Sequence, residues 1–395
     1  MSKLSATGPR VLYVMGGLYP ADGGPPSSSP NIWVSACQAG IPVSVAVPAS
    51  ATPTGTERAT MASLTKAGVK LHTFPVLTRL PKFKRWGVSF PLVFWVLRHA
   101  GDFDIVQAHG AWVFSSLIGL LAARIHGKAF VLVPHESLAE SDVLKGNNPF
   151  RHGIKKFVKS IYMKYADFFI VASQIEERYS IDAGAAAKSA CLYHPLIRDR
   201  SSLSPPRHWP ACIETLRVGF LGRFDPKKNL DLLIRAVAQM PAVSLRMAGA
   251  GPDSYERMLR DLVADGGLGG RAEWLGFIAA SQRPAFFSSI DVLAMPSAFE
   301  CFGMVAAEAM QHGVPVVVSD LTGIAEVVAR HYCGLVVAPR VEAIRDALSV
   351  LQREPGSLEA YSAQALKACE AELSFAHYGA GLAEIYRALA QRSSM

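Results

Sequence analysis

A chain of 395 residues, 50% of them hydrophobic and only 18% charged, is long enough for about two domains with sizeable cores, and its composition is not that of a disordered chain. Its net charge of +8 is one-sided: residues 1–195 hold 20 Lys and Arg against 11 Asp and Glu, whereas the rest is nearly balanced. That asymmetry points to an anionic partner for the first half, here a membrane surface and not a nucleic acid.

The first ten residues are polar and lack the apolar core of a signal peptide. The longest apolar runs, 88–97 and 111–123, fall short of the ~18 residues that span a bilayer. Six cysteines, Cys37, Cys191, Cys212, Cys301, Cys333 and Cys369, form no C-x-x-C pair and no zinc spacing with histidine. They read as reduced thiols. The expected location is the cytoplasm, or the cytoplasmic face of a membrane, with no bound metal.

In chain order, Val11 to Gly16 (VLYVMG) predicts a short buried strand, Asn31 to Gly40 a helix and Val43 to Val47 a second strand. Asp104 to Ala108, Ala129 to Val133 and Asp167 to Ala172 are further apolar runs of strand length, with helical segments in between. Continuous apolar strands alternating with helices predict a parallel, doubly wound sheet. The Pro- and Ser-rich stretch 198–215 is read as a linker. A second alternation follows: strands over Leu216–Leu221, Ser244–Ala248, Ala272–Leu275, Val292–Pro296 and Val314–Ser319, with helices over Asn229–Gln239 and Val305–His312. The predicted domains are thus 1–197 and 216–374, followed by a final helix over 375–395.

Five constellations carry candidate chemistry. In Gly219-Phe220-Leu221-Gly222-Arg223-Phe224-Asp225-Pro226-Lys227-Lys228-Asn229, a strand ends in a basic turn that leads to a helix. This is the carboxyl end of a strand, where doubly wound sheets bind ligands. Arg223 and Lys228 suit a diphosphate, one as a planar fork and the other as a point charge. The plainer alternative is a solvated basic turn.

In Pro296-Ser297-Ala298-Phe299-Glu300-Cys301-Phe302-Gly303-Met304-Val305-Ala306-Ala307-Glu308, a glycine loop opens a helix whose first N–H groups can meet phosphate or sugar oxygens. Glu300 and Glu308 offer carboxylates to sugar and ribose hydroxyls. Alternatively, Glu300 simply opposes the helix dipole and Glu308 is solvated, although the apolar neighbours of Glu308 argue against solvation.

Met247-Ala248-Gly249-Ala250-Gly251-Pro252 begins like a dinucleotide fingerprint, but Ser254 stands where the third glycine belongs. A tight strand–helix turn explains it without a cofactor. Gly16-Gly17 and Gly23-Gly24 flank the end of the first strand, where glycine lets a backbone approach a ligand. His109 and His135 each follow a strand and are placed on the carboxyl rim of the first sheet. Asp102-Phe103-Asp104 spells D-x-D, a triplet that holds a divalent cation in one class of sugar transferases, but here it precedes a strand and reads as a polar turn.

Together these motifs resemble the retaining glycosyltransferases of family 4, which have the GT-B fold. GRFDPKKNLDLLIRA is similar to that family's G-R-x-x-x-x-K-[GN] motif, and PSAFECFGMVAAEAMQHGVPVVVSD to its E-x7-E motif. Thr322-Gly323-Ile324-Ala325-Glu326-Val327 matches the next glycine loop, with Thr322 in place of a first glycine. The likeness is specific over 218–328 and looser over the first half. It implies an α/β chain of two Rossmann-like, doubly wound domains facing a central cleft, the first binding the acceptor and the second the donor.

The resemblance also implies roles at matching positions. Arg223 and Lys228 would hold the donor diphosphate, Glu300 the transferred sugar and Glu308 the ribose. Gly303, Met304 and Val305 would offer backbone N–H groups, with Gly222 in the turn between strand and Arg223. Gly24 and His109 would approach from the first domain, and the last helix would cross back to that domain. The expected reaction is transfer, with retention and without metal or cofactor, of a hexose-type sugar from a nucleotide-diphosphate sugar to a glycan or lipid-linked acceptor, in polysaccharide or glycolipid synthesis. A phosphorylase or epimerase on the same fold, a non-catalytic two-lobed sugar-binding protein and an NAD-dependent dehydrogenase are the alternatives.

Two features extend the expectation to a membrane surface. In residues 150–166, Ile154, Phe157, Val158, Ile161, Tyr162 and Tyr165 form one helical stripe, with Lys155, Lys156, Lys159 and Lys164 off it. Lys82-Phe83-Lys84-Arg85-Trp86 mixes cations with aromatics as interfacial segments do.

Overall fold

The computed structural model describes residues 8–18, 24–49, 53–76, 88–146 and 148–392. The chain forms two units, Met1–Arg198 with Phe375–Met395, and Asp199–Ser374.

In the first unit, β1 (Val11–Met15), β2 (Val43–Ala49), β3 (Lys70–Pro75), β4 (Ile105–His109), β5 (Ala129–Val133), β6 (Phe168–Val171) and β7 (Ser189–Cys191) form a seven-stranded sheet in the order β3-β2-β1-β4-β5-β6-β7. Every pairing is parallel. β1, β2, β4 and β5 are buried along their whole length because helices cover both sheet faces, which is why their sequences do not alternate. Val11, Tyr13 and Met15 point to one face, with Trp33; Leu12 and Val14 point to the other, with Leu92, Val96 and Tyr162.

The helix Phe375–Arg392 belongs to this first unit. Phe375, Tyr378, Leu382, Tyr386 and Leu389 form a stripe at helical spacing that joins the Trp33 face. It lies so close to the helix Gly24–Gln38 that a Cβ on Gly379 would come within 2.7 Å of the Ser35 carbonyl oxygen.

In the second unit, β8 (Leu216–Leu221), β9 (Val243–Ala248), β10 (Ala272–Gly276), β11 (Val292–Met295), β12 (Val316–Ser319) and β13 (Gly334–Val337) form a six-stranded parallel sheet in the order β10-β9-β8-β11-β12-β13. The strand order reverses between β1 and β4 in one sheet and between β8 and β11 in the other. Ligand crevices of doubly wound sheets lie at the carboxyl ends of strands at such points.

The stretch 198–215, read from composition as a linker, is built into the second unit from Asp199 onward. The Arg207 backbone N–H donates to Ser362 Oγ (3.1 Å), its guanidinium to the Phe287 carbonyl (3.1 Å), and Trp209 Nε1 to Asp291 Oδ1 (3.0 Å). Proline there limits regular structure, but side chains still anchor the segment.

Candidate donor site and the histidine rim

In the second unit, β8 ends at Leu221 and the chain turns through Gly222 and Arg223 into a 3₁₀ turn over Pro226–Lys228. Asp225 caps that turn, its carboxylate accepting from the Lys227 N–H (3.0 Å). Asn229 then takes a left-handed conformation (φ 52°), so the helix begins at Leu230, one residue later than the sequence predicts. Its amide nitrogen donates to the Pro296 carbonyl (2.9 Å), and the Ala298 N–H to the Lys227 carbonyl (2.8 Å). These two bonds tie the loop after β8 to the loop after β11.

The tie brings Lys228 to Glu300, whose carboxylate accepts from its ammonium. The Glu300 backbone is itself held, with its N–H on the Leu321 carbonyl (3.1 Å) and its carbonyl taking the Gly323 N–H (3.0 Å). Glu300 therefore answers to Lys228 and to the loop after β12, not to a helix dipole. Arg223 is exposed on the same rim and has no ion-pair partner among the described residues.

Gly303 (φ 110°) opens the helix Met304–Gln311, and a Cβ there would come within 2.7 Å of Met295 Cε. The first intrahelical bond runs from the Ala306 N–H to the Gly303 carbonyl (3.0 Å), which leaves the N–H groups of Met304 and Val305 ahead of the ladder. Glu308, farther along, is nearly buried. Burial pushes its carboxyl pKa up, and the Arg283 guanidinium pulls it back, Arg283 Nη1 donating to both carboxylate oxygens (2.7 and 2.6 Å). Sequence reasoning missed Arg283, because it comes from a separate helix, Arg283–Ser288, with no motif around it.

Gly249 and Gly251 belong to the packing of this site. A Cβ on Gly249 (φ 149°) would lie 1.8 Å from the Gly222 carbonyl oxygen, and one on Gly251 would lie 2.1 Å from that of Phe224. The Gly222 N–H donates to the Ala248 carbonyl (3.0 Å) and the Phe224 N–H to that of Ala250 (2.9 Å). The G-x-G pattern is thus required by two backbones in contact, and no dinucleotide is needed to account for it.

On the carboxyl rim of the first sheet, Gly24 heads the helix Gly24–Gln38, while Gly23 lies outside the described residues, as does Lys82–Trp86. A Cβ on Gly16 would meet Val113 at 2.7 Å, so packing accounts for this glycine too. His109 ends β4 but is 2% exposed, and both its ring nitrogens are engaged within the unit. Burial holds its pKa down at about 3.

The partly exposed histidine is His135, after β5, with Nε2 2.9 Å from His109 Nδ1 and its ring stacked on His194. His135 (φ 50°) and Glu136 (φ 71°) are consecutive left-handed residues, a conformation that costs roughly 1–3 kcal/mol each and gathers at functional sites. Buried Glu176 holds that turn, accepting from the backbone N–H groups of Glu136 (2.5 Å) and Ala172 (2.7 Å). Asp104 lies at the opposite, amino end of β4, where its carboxylate accepts from the Arg10 N–H (2.8 Å). Among the described residues, no group of three or more His, Cys, Asp or Glu side chains could hold a metal ion.

Comparison with known proteins follows the same division. A family model described as glycosyl transferases group 1 matches residues 214–368, and one described as glycosyltransferase family 4 matches residues 35–198. A D-inositol 3-phosphate glycosyltransferase of Rhodococcus opacus is 34% identical over 311 residues, which cover 73% of this chain and 68% of that protein. An uncharacterized 41.2 kDa protein in the cps region of Klebsiella pneumoniae is 25% identical over 246 residues, 60% of this chain and 65% of its own. The chain thus spans about two thirds of the length of these relatives.

Solved structures share the fold, two of them as follows. HepE of Anabaena, in complex with UDP, has a TM-score of 0.74 at 21% identity, over 98% of this chain and 100% of that one. The sucrose-phosphate synthase of Thermosynechococcus elongatus has a TM-score of 0.75 at 20% identity, over 97% and 100%.

Proposed function

The chain belongs to glycosyltransferase family 4, the group 1 glycosyl transferases, and from that membership we propose that it is a retaining glycosyltransferase, moving a hexose-type sugar from a nucleotide-diphosphate sugar to a glycan or lipid-linked acceptor. The observation that carries the proposal is the gathering of Arg223, Lys228, Glu300, Glu308 and the Met304–Val305 N–H groups on one rim of the second sheet.

In this reading the donor diphosphate takes Arg223 and Lys228, and Lys228 leaves Glu300 for the phosphate. Glu300 is then free to accept from sugar hydroxyls. Glu308, held by Arg283, accepts from the ribose, and Met304 and Val305 donate to phosphate or sugar oxygens. As the bond from C1 to the diphosphate breaks, the charge that develops on the leaving oxygen is met by cations already in place. No metal is required for that. From the first unit the family resemblance offers His109, with His135 hydrogen-bonded to it on the carboxyl rim of the first sheet, and Gly24 at the head of its helix. The names of the Rhodococcus relative and of the UDP-bound Anabaena protein support a nucleotide-sugar donor and a polar, polyhydroxylated acceptor.

One experiment tests donor class, metal use and stereochemistry together. Incubated with a panel of nucleotide-sugars and candidate acceptors in EDTA, the protein is expected to form a new glycosidic bond. Proton NMR of the first product should show the donor's anomeric configuration. An inverted product, or activity that EDTA abolishes and Mg²⁺ or Mn²⁺ restores, overturns the corresponding part of the proposal.

The proposal includes an anionic membrane surface as a partner, with polysaccharide or glycolipid synthesis at the cytoplasmic face as the setting. No described helix is long and apolar enough to cross a membrane. The helices Phe90–His99, Phe114–Ile125 and Pro149–Tyr165 lie on the Leu12 side of the first sheet. Their outer surfaces carry Phe94 (72% exposed), Phe150 (77%) and Phe157 (66%), with Phe90, Leu121, Ile125 and Ile154 also exposed. The predicted stripe divides: Tyr162 is fully buried, Val158 and Ile161 pack partly against the core, and Ile154 and Phe157 face outward.

The lysines divide too. Lys155 pairs with Asp142 (3.1 Å) and Lys159 with Asp182 (3.0 Å), while Arg98, Arg151, Lys156 and Lys164 are exposed beside the aromatics. Aromatic and aliphatic side chains among cations suit an interfacial surface, and each cation near an anionic leaflet contributes roughly 1 kcal/mol. The protein should therefore sediment with phosphatidylglycerol vesicles at low salt and be released by 0.5 M NaCl, and the Phe150→Ser/Phe157→Ser variant should bind far less. Equal sedimentation with neutral vesicles, or none with either, rules the surface out.

A further inference from the structure

A buried chain of polar side chains links the last helix to the histidine rim of the first unit. Tyr13 on β1, Gln107 on β4 and Tyr386 on the helix Phe375–Arg392 are all completely buried. The Tyr13 and Tyr386 hydroxyls are 2.9 Å apart, and the Tyr386 hydroxyl is 2.6 Å from Gln107 Oε1. Gln107 Nε2 is 3.2 Å from His109 Nε2. Gln107 and His109 lie two residues apart on β4 and so share a face.

The distances fix the direction of each bond. A separation of 2.6 Å suits O–H···O, with its mode of about 2.7–2.8 Å, better than N–H···O, with its mode of about 2.9–3.0 Å. The Tyr386 hydroxyl therefore donates to the Gln107 carbonyl oxygen and accepts from Tyr13. The Gln107 amide nitrogen, which can only donate, is left facing His109 Nε2. That nitrogen must be the unprotonated one. Burial pushes the pKa values of His109, His135 and His194 below their usual range, so the rings are neutral near pH 7. The single proton of His109 then sits on Nδ1, within reach of His135 Nε2 (2.9 Å) and Ser29 Oγ (3.1 Å).

We propose that Tyr386 is a positioning residue: through the Gln107 amide it fixes His109 as the Nδ1–H tautomer, which donates to His135 Nε2 and so places the one proton of His135 on Nδ1. A residue near the end of the chain thereby sets which nitrogen of the rim histidine can donate. The functional half of this inference rests on the glycosyltransferase reading; the tautomer does not.

The test uses the full chain carrying ¹⁵N-histidine and the variants Tyr386→Phe and Tyr378→Phe. Tyr378 is the matched control. It lies on the same helix, equally buried, and its hydroxyl has no hydrogen-bond partner among the described residues. Long-range ¹H–¹⁵N correlation at pH 7, with His109 and His135 assigned by single substitution, should show Nδ1–H for both in the wild type. Tyr386→Phe frees the Gln107 amide to turn over, so His109 should shift toward Nε2–H, and Tyr378→Phe should leave the wild-type pattern. Sugar transfer by Tyr386→Phe should fall about tenfold in kcat with KM little changed, and transfer by Tyr378→Phe should hold. A wild-type His109 protonated on Nε2, or a Tyr386→Phe spectrum identical to the wild type, overturns the proposal. Absence of transfer by the wild type from every nucleotide-sugar would sink the functional reading alone, with the spectra still deciding the tautomer.

Discussion

Arg223→Ala and Lys228→Ala are each expected to lower kcat for sugar transfer by about 10²–10³, the scale for losing one preorganised stabiliser of developing charge. That range corresponds to roughly 2.7–4 kcal/mol of barrier. Both cations stand on the turn after β8, at the point where the strand order reverses, and the helix start at Met304 adds N–H groups to the same rim. The two variants should differ in their second effect. Arg223 is exposed and has no ion-pair partner among the described residues, so its loss should leave the melting temperature nearly unchanged. Lys228 neutralises Glu300, whose side chain is only 14% exposed, and removing it leaves a mostly buried carboxylate without its partner. Lys228→Ala should therefore melt earlier than Arg223→Ala. Circular dichroism and melting curves check that both variants fold, and steady-state kinetics with the donor checks the rate. Wild-type turnover in both folded variants removes the diphosphate role.

Much of this rim was legible in the sequence because its parts are local. A strand, a basic turn and a helix start occupy consecutive residues, and chain continuity places Arg223 and Lys228 together. Glu300 lay within the second motif, although its pairing with Lys228 depends on two bonds between loops far apart in sequence, from the Ala298 N–H to the Lys227 carbonyl and from the Asn229 side-chain amide to the Pro296 carbonyl. Arg283 was not legible: nothing near it repeats or clusters, and its meaning comes from the carboxylate of a residue on another helix.

The histidines show the same limit. Periodicity places His109 and His135 at strand ends, but which of them faces outward depends on burial, and burial depends on side chains drawn from the whole unit. The nitrogen that carries the proton depends on Gln107 and on a tyrosine 279 residues from it in sequence. The lysine-rich helix meets a related limit. Spacing shows that lysines lie off the apolar stripe, but not that Asp142 and Asp182 neutralise two of them.

Gly249→Ala should be among the most damaging single changes in the second unit, even though it adds only one methyl group. The added Cβ would lie 1.8 Å from the Gly222 carbonyl oxygen and 3.1 Å from Phe224 Cε1. The clash is with backbone, which cannot rotate away, and the φ of 149° is itself one that side chains rarely adopt. Relief requires the loops after β8 and β9 to part, breaking the bonds from the Gly222 N–H to Ala248 and from the Phe224 N–H to Ala250. Two lost hydrogen bonds at about 1 kcal/mol each, with backbone strain of about 1–3 kcal/mol, put the expected loss near 3–5 kcal/mol. For a domain of this size each kcal/mol shifts the melting temperature by about 2–4 °C, so a fall of roughly 6–20 °C is expected. Gly269→Ala, where an added Cβ meets nothing within 4 Å, should melt close to the wild type. The loop that Gly249 holds is the one carrying Arg223, so any folded Gly249→Ala protein should also bind the nucleotide-sugar donor of the proposed reaction more weakly. A variant that melts and binds the donor like the wild type would show that the two loops do not need this contact, and would reopen the dinucleotide reading of the G-x-G pattern.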